Sequence, residues 1–217
     1  MKFVDGWYFP DGETHLMQWM ANPKVRMFLN CRAAYQGQKQ EAAMSYCKDF
    51  RRAVDVGGHI GLWSFNLAHR FEEVHAFEPV AAHRECFVKN VLASHTNVEL
   101  YGCALGASEG LVSIRTEPTS SGDSRVDGPG DIPMHTLDSM ELQDVDLIKI
   151  DCEGTELFVL QGAVETLARC KPVIIVEQKP GHAQKYGLGE KDAIPFLQAR
   201  GYRLVRELAG DFILVHP

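Results

Sequence analysis

At 217 residues, with 45% hydrophobic and 24% charged side chains, the chain has the makings of one globular domain with a buried core, not of a disordered or fibrous protein. Its formal charge of −7 speaks against a broad phosphate-binding surface, because affinity for nucleic acid comes mainly from Lys and Arg. No apolar run approaches the roughly 18 residues of a membrane span, and Met1 to Trp7 lack the basic-then-apolar pattern of a signal peptide, so a cytoplasmic location is expected.

Residues 1–50 precede the first core strand and are expected to form a helical, substrate-facing cap on a unit spanning residues 51–217. Trp7-Tyr8-Phe9 is an aromatic run closed by the turn Pro10-Asp11-Gly12, and it belongs either to helical packing or to a lid over a ligand. Leu16, Met17 and Met20 fall on one side of a helix over Thr14 to Ala21. A second helix is expected over Gln38 to Cys47. Lys48, Arg51 and Arg52 read as solvated charges before a buried strand. The six cysteines are far apart and form no C-x-x-C, so neither a zinc site nor a disulfide framework is expected.

The centre of the chain is Ala53 to Ser64. Val54 and Val56 give a short strand, and Gly57, Gly58 and Gly61 allow a tight turn with close approach of a ligand before a helix over Ile60 to Phe71. In that helix Trp63 is expected in the core. The glycines spell neither the dinucleotide fingerprint nor a Walker loop. A second strand ends in Glu78, 23 residues after Asp55, where a carboxylate can accept from both hydroxyls of a ribose. A helix over Val80 to Leu92, a strand over Asn97 to Tyr101 and an extra strand over Leu111 to Arg115 follow. Thr119 to Ser124 reads as a loop, either a plain connector or a border of the acceptor site.

Val145 to Asp151 repeats the design of a buried strand ending in an acid, followed by a helix with Leu157, Leu160, Val164 and Leu167 on one face. Asp151 has two available roles, chemistry at the carboxyl end of a parallel strand or N-capping of that helix. Pro172 to Glu177 repeats the design again, with Lys179 close behind and His182 in the loop beyond. A helix over Asp192 to Arg200 and a hairpin of Tyr202–Leu208 with Phe212–Val215 complete an α/β domain of mostly parallel strands.

The ordered series Asp55-Val56-Gly57-Gly58-His59-Ile60-Gly61, Phe77-Glu78-Pro79, Thr136-Leu137-Asp138, Ile148-Lys149-Ile150-Asp151-Cys152-Glu153-Gly154 and Val176-Glu177 resembles FkbM-type S-adenosylmethionine-dependent methyltransferases. His59 stands where that type commonly carries Asn or His. The resemblance runs from about Ala53 to the C-terminus and implies the Rossmann-like seven-stranded methyltransferase fold, with an antiparallel last strand and helices on both faces. It implies S-adenosylmethionine as cofactor, held by Asp55, Gly57, Gly58, His59, Gly61 and Glu78, with adenine near Cys103 and Ala104. It also implies O-methylation of a sugar hydroxyl on a glycan, polysaccharide or glycosylated small molecule.

Asp151, Glu177 and His59, in that order, are the candidates for the group that takes the acceptor proton. Mg²⁺ held by Asp151 and Glu177 is the alternative to a base, since hard oxygen ligands suit it. Lys149, Asp151, Lys179 and Glu177 also offer the residue types of a lysine-acid tetrad acting on RNA 2′-hydroxyls, against which the acidic surface weighs. A cofactor-binding protein without catalysis and a nicotinamide sugar oxidoreductase are the remaining alternatives.

Overall fold

The computed structural model describes residues 1–24 and 26–217. Before the first core strand the chain forms two hairpins, each followed by a helix: β1 (Lys2–Val4), β2 (Trp7–Phe9), α1 (His15–Ala21), β3 (Met27–Leu29), β4 (Arg32–Ala34) and α2 (Gly37–Met44). The two helices match expectation, and the hairpins do not, so the segment is not purely helical. Three-residue strands are too short to leave a readable alternation. Trp7 and Phe9 are 0% and 1% exposed, and the Trp7 indole N–H donates to the Ala33 carbonyl at 2.8 Å. The lid reading therefore fails for these two rings, which belong to the core.

The chain continues through β5 (Arg52–Val56), α3 (Ser64–Ala68), β6 (Glu73–Phe77), α4 (Ala81–Phe87) with a π-helical turn at Val88–Leu92, and β7 (Val98–Tyr101). Next come β8 (Ala104–Leu105), β9 (Gly110–Arg115), β10 (Arg125–Pro129), β11 (Ile132–His135) and β12 (Val145–Ile150). The last elements are α5 (Glu156–Gln161), α6 (Val164–Cys170), β13 (Val173–Glu177), α7 (Ala193–Gln198), β14 (Arg203–Leu208) and β15 (Asp211–Val215).

Seven strands make the main sheet in the order β14-β15-β13-β12-β5-β6-β7. The five strands from β13 to β7 run parallel, and β15 runs antiparallel to both β13 and β14. Alternation along these strands sorts their side chains into two cores. Ala53, Leu147, Ile175 and Ile213 enter the one that also contains Phe65 and Leu67 of α3. Val54, Ile148, Ile174 and Leu214 enter the other, with Leu160 of α5 and Leu197 of α7. A strand buried on both sides reads as a continuous apolar run, as β13 does from Val173 to Val176.

Two departures from the expected elements have local causes. The single helix expected through Leu157 to Leu167 breaks at Gly162, where a Cβ would lie 2.0 Å from the Gly106 carbonyl oxygen. The lone strand expected at Leu111 to Arg115 is one member of a second sheet ordered β10-β9-β11-β8. No helix among the described residues is long and apolar enough to cross a membrane.

Candidate active site

The carboxyl ends of β5, β6 and β12 open onto one cavity, as ligand sites do in parallel sheets. The turn after β5 is its floor. Gly57 and Gly58 both donate their N–H groups to the Phe77 carbonyl at 3.0 Å. Gly57 has φ +76, and a Cβ there would lie 2.0 Å from the Asp151 carbonyl oxygen, so no larger residue lets the two strand ends approach so closely. Gly61 faces away from the cavity. A Cβ on it would meet Val91 at 2.3 Å, so this glycine serves helix packing rather than ligand contact.

His59 adopts φ 49 and lines the cavity. Its backbone N–H donates to Glu78 Oε2 at 2.8 Å, while Glu78 Oε1 accepts from the Val80 N–H at 2.8 Å and meets His83 Nδ1 at 3.2 Å. A carboxylate has about four acceptor positions, so one remains on Oε2. Glu78 lines the cavity with acceptor capacity left for a ribose. Cys103 and Ala104 line the same cavity beside Phe77, Leu105, Ile114 and Val126, which make an apolar slot of the kind an adenine ring fills. Burial pushes the Cys103 thiol up to about 11, so it stays protonated.

Asp55 does not reach the cavity. It is fully buried, with Oδ1 at 3.0 Å from Lys149 Nζ and Oδ2 accepting from the Ser64 hydroxyl at 2.6 Å. Lys149 also donates to the carbonyls of Val56 at 3.1 Å and Gly57 at 2.6 Å. Asp55 thus acts on the turn at second hand, by anchoring the lysine that fastens it. Burial works against the charged form of Lys149, but the carboxylates of Asp55 and Asp151 outweigh it and hold the ammonium above its ordinary range.

Asp151 lines the cavity, and its N–H donates to the Val56 carbonyl at 3.2 Å. It caps no helix: α5 starts five residues later, and Glu156 Oε1 accepts the N–H groups of Cys152 at 3.1 Å and Gly154 at 2.8 Å. Burial raises the Asp151 carboxyl, yet Lys149, Lys179 and a hydrogen bond from Glu177 bring it below the usual range. Glu177 lies behind Asp151 and off the cavity wall. Burial, followed by the charge of Asp151, pushes Glu177 up to about 10, which favours its protonated form beside Asp151. Burial and Asp151 likewise push Glu153 up to about 7.

Carboxylate oxygens of Asp151, Glu153 and Glu177 come within 4.8 Å of one another, a spacing open to a cation. The ammonium of Lys179 already stands there, 2.8 Å from Glu177 Oε2 and 3.4 Å from Glu153 Oε1. His182 Nδ1 approaches the other oxygen of Glu153 at 2.7 Å.

The cavity walls include residues that carried no functional signal in the sequence. Leu16 and Trp19 of α1 line it together with Tyr35, whose ring meets that of Trp19 edge-on at 4.8 Å. Trp63, expected in the core, also shows an edge to the cavity while its indole N–H donates to Gln36 Oε1 at 3.0 Å. Ser120 to Val126 also line the cavity, so the expected loop does border it. A polar side cleft lined by Thr119, Asp123, Arg125, Glu153, His182 and Lys185 adjoins it there.

Residues 55–204 match the family model described as methyltransferase FkbM domain. Among solved structures, methyltransferase FkbM from Methylobacillus flagellatus KT is similar at 21% identity and a TM-score of 0.52, over 76% of this chain and 42% of that one. The chain thus spans less than half the length of that protein. SMU.1697c from Streptococcus mutans, solved in complex with SAH, is similar at 10% identity and a TM-score of 0.51, over 82% of this chain and 94% of that one. Precorrin 8W decarboxylase from Methanobacterium thermoautotrophicum follows at 16% identity and 0.50, over 89% and 93% of the two chains. At such identities the likeness is one of fold. No curated protein matches the sequence.

Proposed function

The chain belongs to the methyltransferase FkbM domain family and is an S-adenosylmethionine-dependent methyltransferase, and we propose that it methylates a hydroxyl oxygen on a sugar of a glycan, polysaccharide or glycosylated small molecule. The observation that carries this reading is Asp151, an ionised carboxylate on the cavity wall beside Gly57, with Lys149 and Lys179 near it and a protonated Glu177 behind it.

The residues present fit the cofactor. Glu78 offers its carboxylate to a ribose hydroxyl, the apolar lining at Cys103 and Ala104 suits adenine, and Gly57 and Gly58 leave backbone without side chains on the cavity wall. When bound, the cofactor supplies an electrophilic methyl group already activated by its sulfonium. In-line positioning of the acceptor oxygen then carries most of the acceleration. As that oxygen forms its new bond its own proton becomes strongly acidic, so even a carboxylate with a lowered pKa can take it. Asp151 is placed for this, and Glu177 holds it in position through its hydrogen bond. The contribution expected of such a base is roughly 10²- to 10⁴-fold.

The acceptor class rests on the wall chemistry. Trp19, Tyr35 and Trp63 offer apolar ring surface on one side, and the side cleft offers charged and hydroxyl groups on the other. A pyranose, with C–H faces and a rim of hydroxyls, matches both. Residues 1–50 then serve as a substrate-facing cap on residues 51–217. The RNA reading is disfavoured because Lys149 is spent on Asp55 and two backbone carbonyls. Mg²⁺ at Asp151 and Glu177 is disfavoured because it must displace Lys179 and strip the proton from Glu177.

Incubation of the purified chain with methyl-labelled cofactor, a panel of glycosylated acceptors and RNA tests the reading, with and without EDTA. Label on a sugar oxygen, insensitive to EDTA, is the expected result. Label on RNA alone, or full loss of transfer with EDTA restored by Mg²⁺, overturns it.

A further inference from the structure

Glu13 and Ser121 lie 108 residues apart in sequence and outside every motif of the family, yet they meet at the cofactor turn. Glu13 is fully buried. One of its oxygens accepts the Leu16 N–H at 2.7 Å, and the other accepts the Ser121 N–H at 2.6 Å together with the Ser121 hydroxyl. The same hydroxyl oxygen stands 2.8 Å from Nε2 of His59. The two segments are further joined where the Thr119 carbonyl accepts the N–H groups of Thr14 at 3.2 Å and His15 at 3.1 Å.

With Glu13 as a carboxylate, the group onto which the Leu16 N–H, the Ser121 N–H and the Ser121 hydroxyl converge, the donor count along this chain has one solution. A serine hydroxyl has a single proton, and a carboxylate can only accept. Ser121 therefore spends its proton on Glu13, and the bond to His59 must be donated by the imidazole. That places the His59 proton on Nε2 and leaves Nδ1 as a bare acceptor in a side chain that lines the cavity. Burial, with His83 and Lys149 as lesser causes, keeps the ring neutral, so the second nitrogen stays free of a proton. We propose that Glu13 and Ser121 are positioning residues that fix His59 in the Nε2–H tautomer, so that Nδ1 accepts a hydrogen bond from an N–H or O–H donor of the bound ligands. The donor is either the amino group of the cofactor's methionine end or the hydroxyl of the acceptor. In either case His59 is an orienting group rather than the proton acceptor of the reaction.

The tautomer is measurable in the ligand-free protein by ¹⁵N NMR of the histidine rings, with His59 assigned through His59→Gln. The expected spectrum shows a pyrrole-type Nε2 and a pyridine-type Nδ1. Ser121→Ala removes one oxygen and keeps the backbone bond from residue 121 to Glu13, so the contact between the two segments persists while His59 loses its acceptor. Its two ring nitrogens should then move to averaged shifts, and Ser121→Thr should restore the wild-type pattern. An Nδ1–H tautomer in the wild type, or unchanged ring shifts in Ser121→Ala, overturns the proposal.

Calorimetry identifies the donor. A loss of about tenfold in S-adenosylhomocysteine affinity in Ser121→Ala, with 5′-methylthioadenosine unaffected, assigns Nδ1 to the cofactor's amino group. Unchanged affinity for both, with a similar loss in kcat/KM, assigns it to the acceptor hydroxyl. Equal loss of both nucleosides means that Ser121 merely shapes the pocket, and overturns it.

Discussion

Lys149 and Asp55 are register partners on neighbouring parallel strands, and the lysine ammonium stands 3.0 Å from the aspartate Oδ1 with both side chains shut off from solvent. The pair fastens the cofactor turn from beneath through the Val56 and Gly57 carbonyls. Removing one member of a buried pair leaves an uncompensated charge, which costs roughly 3–5 kcal/mol. Asp55→Asn is therefore expected to lower stability by that order in urea denaturation. Lys149 has its pKa raised on folding, so its share of the stability is complete below about 10.5 and is lost only as pH rises through the folded value. The deficit of Asp55→Asn should thus be equal at pH 6 and pH 9. Full stability with lost S-adenosylhomocysteine affinity would mean that Asp55 touches the cofactor after all.

Glu177 gives a dependence of the same sign in a lower pH window. Its folded pKa is raised from 4.5 to about 10, so above pH 4.5 the unfolded chain releases a proton that the folded chain retains, and stability falls as pH rises toward 10. Glu153, raised to about 7, adds to this slope only below that value. Between pH 7 and 9 the difference between wild type and Glu177→Gln isolates the one group. Gln keeps a donor toward Asp151 and cannot ionise. The wild type should lose stability relative to Glu177→Gln as pH rises across that window. Parallel stability curves across that window would place an ionised carboxylate at Glu177.

Asp151→Asn keeps the shape of the side chain and removes its ability to take a proton. Transfer should slow by roughly 10²- to 10⁴-fold, while affinity for S-adenosylhomocysteine changes by less than about threefold, since Glu78 and the adenine slot are untouched. The separation is read by single-turnover kinetics beside calorimetry. Loss of affinity in step with loss of rate would make Asp151 a cofactor-holding residue.

These residues were legible in the sequence to different depths, and distance along the chain explains the difference. Gly57, Glu78 and Asp151 sit at strand ends marked by β-branched runs and turns, so local pattern leads to them. Asp55 carries the same marks, but its occupation by Lys149 depends on which strand lies beside β5, which local pattern does not encode. Alternation puts Lys149 and Asp151 on one side of the strand, and both line the cavity, but the Lys149 ammonium is held by Asp55 and the backbone of the glycine turn, which alternation does not encode. Glu13, Trp19 and Tyr35 were invisible as site residues. Trp19 lies on a short helix and the other two in connections beside the hairpins, and the docking of this segment is set by contacts such as Thr14 with Thr119, 105 residues away.

The walls contributed by residues 1–50 should govern the acceptor and not the cofactor. Trp19 and Tyr35 line the cavity and pack ring against ring, and they belong to a different segment from Cys103 and Ala104, the proposed adenine site. Burial, followed by the charge of Asp151, holds the Tyr35 phenol above its ordinary range, so its hydroxyl remains a donor. Tyr35→Phe deletes that donor alone and is expected to raise KM for the acceptor by about fivefold, the worth of one hydrogen bond. Trp19→Ala removes apolar ring surface from the same wall and should raise KM by tenfold or more, since truncated aromatic anchors commonly cost over 1 kcal/mol. In both variants S-adenosylhomocysteine affinity should stay within about twofold of wild type. If the nucleoside weakens as much as the acceptor, the N-terminal segment closes over the cofactor, and acceptor choice must then reside in the polar cleft at Arg125, His182 and Lys185.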